Sequence, residues 1–126
     1  MKWYGWLGIG LGVFMAIGHG TLGTIDILIP LKETSFTIDN IAGMWVTWHI
    51  VTFHLLLLGI SFFAFKYLEG TSGKIFGYSI FVQYLAYFLG VLFISIYPCK
   101  SLFIMPMWIP FLLLSIISWY KLRAIK

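Results

Sequence analysis

Residues 41–65 read Ile41-Ala42-Gly43-Met44-Trp45-Val46-Thr47-Trp48-His49-Ile50-Val51-Thr52-Phe53-His54-Leu55-Leu56-Leu57-Leu58-Gly59-Ile60-Ser61-Phe62-Phe63-Ala64-Phe65, with no Asp, Glu, Lys or Arg among them. About 20 such residues, coiled as a helix, span the ~30 Å hydrocarbon core of a bilayer. The run shows no period-two alternation, which argues against a barrel strand, and an open sheet edge has no hydrogen-bond partners in lipid. The stretch therefore predicts a membrane-spanning helix, and two histidines lie inside it.

Three further apolar runs surround it, at about 3–22, 75–97 and 102–120. Only 10% of the chain is charged against 61% hydrophobic, whereas a soluble domain carries roughly 25% charge. There is too little charge to cover a water-facing surface, so lipid is the expected solvent. The expectation is one all-α domain over 1–126, a polytopic membrane four-helix bundle with an outer connection at 23–40. Lys2 ahead of the first run gives it the outline of a secretory signal. Its length, its glycines and the lack of a small-x-small site after Gly20 argue instead for a retained helix.

The charges orient the bundle. Lys2, Lys66, Lys74, Lys121, Arg123 and Lys126 fall on one side with Glu69, and Lys32 and Lys100 fall on the other with Asp26, Glu33 and Asp39. The positive-inside rule then puts both termini in the cytoplasm, in a bacterial plasma membrane as the expected location. Trp3, Tyr4, Trp6, Trp45, Trp48, Trp108, Trp119 and Tyr120 near the segment ends fit an aromatic belt. The net charge of +4 comes from basic residues scattered singly, which is no footprint for nucleic acid. Cys99 is the only cysteine, so no intrachain disulfide or paired-thiol chemistry is available.

Gly8, Gly12, Ala16 and Gly20 recur every four residues and form a flat stripe suited to close helix packing, within the bundle or in a homo-oligomer. Pro106 and Pro110 predict a late start or a kink in the last segment. Pro30 disfavours a helix through the middle of 23–40, so that connection is expected to lie on the outer surface or fold over the bundle. Thr37 or Asp39 would cap the second segment.

An ionisable side chain at membrane depth is expensive and marks a functional candidate. Counted at 1.5 Å per residue, His19 lies roughly 5 Å from the outer end of segment one and His49 roughly 12 Å from that of segment two. Two imidazoles from neighbouring helices, with Asp26, Glu33 or Asp39, could hold a divalent metal, or the pair alone could ligate haem b. Plain hydrogen bonding is the competing account. His54 follows His49 by five residues, a rotation of about 140°, and faces a different partner set. Ser79, Gln83 and Tyr87 form a polar stripe at i, i+4 and i+8, and Gln83 and Tyr87 share the depth of His54. That group reads either as an interhelical hydrogen bond worth ~1 kcal/mol or as a polar path across the membrane.

Gly18-His19-Gly20-Thr21-Leu22-Gly23 with Asp26 and Pro30-Leu31, then Trp48-His49-Ile50-Val51-Thr52, resembles a pattern in small uncharacterised bacterial membrane proteins of four helices. The pattern is a Gly-His element, a Leu-Gly-x-x-acid run and Trp-His-x-x-Thr. The resemblance covers about the first half of the chain and implies that His19, Asp26 and His49 belong together, with no activity attached.

Other four-helix classes fit poorly. The first segment lacks the embedded glutamate of a small multidrug antiporter, and Arg123 is the only arginine, too few for a glutathione-using membrane enzyme. No Ser-His-Asp arrangement, phosphate loop or nucleotide fingerprint is present, so nothing in the sequence argues for catalysis. The leading expectation is a membrane-embedded binding module with an outer-leaflet histidine/carboxylate site. Alternatives are a small oligomeric transporter or channel using His54, Gln83 and Tyr87, and an accessory subunit of a larger membrane complex whose histidines only satisfy hydrogen bonds.

Overall fold

In a computed structural model the chain is described over residues 3–65, 67–97, 102 and 106–125, with the backbone alone for Tyr4. Lys2, Lys66, Cys99, Lys100 and Lys126 lie outside those residues.

Among the described residues the fold is all-α, built on four helices: α1 (Trp3–Gly23), α2 (Ile38–Ala64), α3 (Gly70–Ile96) and α4 (Trp108–Arg123). Three rods, Gly5–Leu31, Ile38–Ala64 and Gly70–Ile96, are long and apolar enough to cross a membrane. The last is shorter than expected. It begins at Trp108 rather than Leu102 and has 16 residues, about 24 Å of helix.

The first rod departs most from expectation. It does not stop at residue 22 but passes through a π-helical turn, Thr24–Leu28, into a final α turn, Ile29–Leu31. The wide turn makes Pro30 harmless. Ile29 N–H reaches back five residues to the Thr24 carbonyl, so Pro30 falls in the first turn of a new α segment, where a missing N–H is not needed. If this stretch folds over the bundle, Ile25, Leu28 and Leu31 are the side chains to cover it. Leu28 is buried, Leu31 half-buried and Ile25 exposed. The connection proper is only 32–37. Lys32 Nζ sits 4.9 Å from the Trp45 ring centre, and Thr37, in extended backbone, caps α2 by accepting Asn40 N–H at 3.4 Å.

Packing pairs α1 with α2 and α3 with α4, and α1 also lies on α4. The glycine stripe forms the first seam. A Cβ on Gly12 would lie 2.5 Å from the Gly59 Cα, one on Gly8 2.8 Å from the Phe62 ring, and one on Gly20 2.9 Å from Thr52 Cγ2. Ala16 is buried in the same seam. Between α2 and α3 large side chains make the bridge, with Phe62 against Tyr84 and Phe65 against Phe76. Met15, Leu55, Leu58, Ile80, Phe111 and Leu114 complete the core. The short link from α2 to α3 ends at Gly70, whose φ of +60° is the left-handed conformation glycine tolerates.

The outside of this bundle is as apolar as its inside. Phe14 is 71% exposed and Phe53 68%, and Ile50, Leu57 and Phe93 are comparably bare. Soluble monomers rarely expose large apolar surfaces.

Candidate functional site

The longer first rod moves His19. It lies twelve residues before Leu31, about 18 Å of helix, and so near the middle of the rod rather than at its outer end. There the α1–α2 seam is locked by polar contacts. The His19 ring lies flat on the Trp48 indole, with centroids 4.2 Å apart and planes 13° from parallel. Trp48 Nε1–H donates to the His19 carbonyl at 2.9 Å. Gly23 lets the indole in, because any side chain there would overlap the Trp48 ring.

Keeping both contacts of the Thr52 hydroxyl assigns the state of the imidazole. His19 Nδ1 is 2.8 Å from Thr52 Oγ1, and the same hydroxyl donates to the Trp48 carbonyl at 3.0 Å. A hydroxyl has one proton, so toward His19 it accepts, and Nδ1 is the protonated nitrogen. Nε2 therefore carries the lone pair, and no other described residue hydrogen-bonds to it.

His19 and Trp48 line a crevice of about 670 Å³ between the π turn and the first half of α2. Leu28, Leu31, Met44 and Val51 give it apolar walls, and Asp39, Asn40 and Thr47 bring polar atoms. Asp39 is exposed in the first turn of α2.

His49 and Asp26 are not brought to this crevice. His49 is exposed, tilted against Trp45 at 5.8 Å, and lines a different groove with Ile50, Phe53 and His54. Asp26 is exposed and lines neither. Among the described residues no three His, Cys, Asp or Glu side chains gather closely enough to hold a metal ion, and the two histidines of the expected haem pair line separate hollows.

The second histidine group does assemble. His54 Nε2 lies 2.7 Å from Gln83 Oε1, and Nδ1 lies 2.8 Å from the Tyr87 hydroxyl. Gln83 Nε2 donates at 3.1 Å to the Ser79 carbonyl and to the Ser79 hydroxyl. A carbonyl only accepts, so the amide is oriented with Oε1 toward His54. His54 is then protonated on Nε2, and Nδ1 accepts the Tyr87 O–H. Donors run one way, from Tyr87 through His54 and Gln83 to Ser79, with every imidazole position satisfied. His54 also lines the grooves on both sides of this bridge.

Trp48 and Thr52, the two ends of the Trp-His-x-x-Thr pattern, stand one turn apart on one face of α2 and make every polar contact of His19 described above. The pattern names them but carries no sign that they, rather than His49, meet His19. Tyr84 was missed. It is fully buried, its hydroxyl has no partner among the described residues, and it reaches to 3.2 Å from where a Gly12 Cβ would stand. Nothing in an apolar helix signals such a group.

No family model, curated protein or solved structure matches this chain.

Proposed function

We propose that the chain is a small integral membrane protein, both termini cytoplasmic, serving as a membrane-embedded binding module whose site is the crevice beside His19. Three long apolar rods and their bare aromatic surface support the membrane reading. The basic residues at one end, against Asp26, Glu33 and Asp39 at the other, support the orientation.

One observation carries the binding reading: the His19 imidazole, held in place by Thr52 and Trp48, on the wall of a crevice lined by Leu28, Leu31, Met44 and Val51 together with Asp39, Asn40 and Thr47. Its size falls in the range of small-molecule sites. Asp39 is the carboxylate of this reading, and His49 and Asp26 have no part in it.

The test is native mass spectrometry of protein released from its own membrane. Wild type should carry a small molecule that His19→Ala lacks while remaining folded. An identical bare spectrum for both proteins overturns the reading.

A second reading, a small oligomeric transporter, rests on the ordered donors from Tyr87 through His54 to Gln83. It expects flux into liposomes that His54→Ala abolishes, and a wild-type protein with no flux for any tested ion overturns it.

A further inference from the structure

We propose that the outward face of α2 joins two copies of this chain in one bilayer, with His49 of each copy hydrogen-bonded to His49 of the other.

Of the three histidines, His19 and His54 have hydrogen-bond partners, and His49 has none among the described residues. It is exposed, and the Trp45 ring tilted beside it belongs to its own helix. It stands eleven residues beyond Ile38 in a helix of 27 residues. That is about 17 Å along a rod of about 40 Å, well inside a ~30 Å hydrocarbon core. An imidazole is too short to reach water from there.

Lipid chains cover Val46 and Phe53 without loss, but they offer His49 neither donor nor acceptor. An unpaired polar group in hydrocarbon is costly. The groove that His49 lines supplies no partner either. Its other imidazole, His54, has both nitrogens engaged by Gln83 and Tyr87, and Trp45 Nε1 bonds to no described residue.

The register on α2 favours a second copy as the cover. Val46, His49, Phe53, Leu56 and Ile60 alternate three and four residues apart, the spacing of a helix–helix seam. All but half-buried Leu56 are exposed, and His49 is the one polar side chain among the five. Two copies inserted the same way round are related by a two-fold axis along the membrane normal. Their α2 helices then run parallel, and each seam residue lies at the depth of its own counterpart. A neutral imidazole carries one N–H and one lone pair, so His49 is its own complement in either tautomer. A partner of different sequence must bring a polar group to this depth, whereas a second copy always does.

The glycine stripe of α1 is no rival interface, because Gly8, Gly12 and Gly20 already meet α2 of the same copy. The His19 crevice shares none of the seam residues. The pair therefore stands or falls apart from the binding reading and needs only that α2 spans a membrane.

The experiment uses full-length protein carrying Cys99→Ser in phosphatidylcholine vesicles with EDTA. Phe53→Cys should form an interchain disulfide on oxidation, because facing seam positions come within disulfide reach. Phe14→Cys, as bare on α1, should not. Energy transfer between labelled copies should give a dimer that His49→Leu weakens about three- to tenfold, the loss of one interhelical hydrogen bond. His49→Asn, which keeps a donor and an acceptor, should stay near wild type. Monomers at every protein-to-lipid ratio, or equally fast disulfides at both cysteine positions, overturn the interface. A dimer that His49→Leu leaves as tight as wild type overturns the histidine pair. A dimer that forms only without EDTA is bridged by a metal ion, which overturns the hydrogen bond.

Discussion

The imidazole of His19 and the indole of Trp48 are joined twice, by ring faces 4.2 Å apart and by Trp48 Nε1–H donating to the backbone carbonyl of His19. The second contact is unusual in a helix interior, where a carbonyl already accepts the i+4 amide. It ties the indole to the α1 backbone rather than to a mobile side chain, so the ring that flanks the crevice is fixed by α1. Trp48→Phe should keep an aromatic wall but lose this bond, lowering stability by about 1 kcal/mol and loosening the His19 ring. Unfolding in detergent and the His19 ring linewidth would check the two effects.

The two hydrogen-bonded histidines should be opposite tautomers. His19 is protonated on Nδ1 by the Thr52 argument and His54 on Nε2 by the Gln83 argument. Two-bond ¹H–¹⁵N correlations on ¹⁵N-histidine protein distinguish the forms directly. The same tautomer at both sites would contradict the network. Thr52→Val removes the acceptor and should return His19 to a mixture, at a loss of about 1 kcal/mol, whereas Thr52→Ser should not.

The Gly12–Gly59 contact sets the spacing of α1 and α2. Gly12→Ala would place a Cβ 2.5 Å from a backbone Cα, and neither helix yields easily at a crossing. It should destabilise by about 1–3 kcal/mol. Gly10→Ala is the control. It meets nothing within 4 Å, so it should be neutral or gain about 0.5–1 kcal/mol from helix propensity. Equal midpoints for the two variants would refute the close crossing.

Tyr84 buries a hydroxyl with no partner among the described residues, a state that typically costs about 1–3 kcal/mol. Tyr84→Phe keeps the ring on Phe62 and removes the orphan. The expected result is unchanged or raised stability, by about 1 kcal/mol. A loss of that size would reveal a partner for the hydroxyl.

The His54 bridge is a polar link between α2 and α3 in which every imidazole position is satisfied. Tyr87→Phe should lower stability by about 0.5–1.5 kcal/mol, the range of interhelical hydrogen bonds in membranes. It should also leave His54 on its Nε2–H tautomer, because Gln83 still demands that proton. Spectra and unfolding on one sample separate the effects.

Much of this was legible in the chain. An unbroken apolar run such as 41–65 forces a helix, and the four-residue period of Gly8, Gly12, Ala16 and Gly20 marked a seam, because the absence of side chains is itself a pattern. Gln83 and Tyr87 could be matched to His54 because depth along a helix is countable from sequence. The π turn was not legible. Proline rules assume the α register, and the five-residue reach of Ile29 to Thr24 departs from it. The continued rod puts His19 near its middle rather than at its end. Rotation about α2 was the other loss. His49 sits one residue beyond Trp48, and that single step turns it out of the seam that Trp48 and Thr52 occupy.

Each close-packed helix pair is made of neighbours in the chain, α1 with α2 and α3 with α4. Everything the first pair needs, including the Gly12–Gly59 crossing and the His19 lock, has been synthesised once Ala64 is made. Contacts between sequence neighbours close with little loop entropy, so the first hairpin is complete while the second is still being synthesised. The bridges from α2 to α3 wait for the third helix, and the packing of α4 on α3 and α1 waits for the fourth. Order of synthesis and order of assembly thus coincide, and the crevice beside His19 belongs entirely to the half that is finished first.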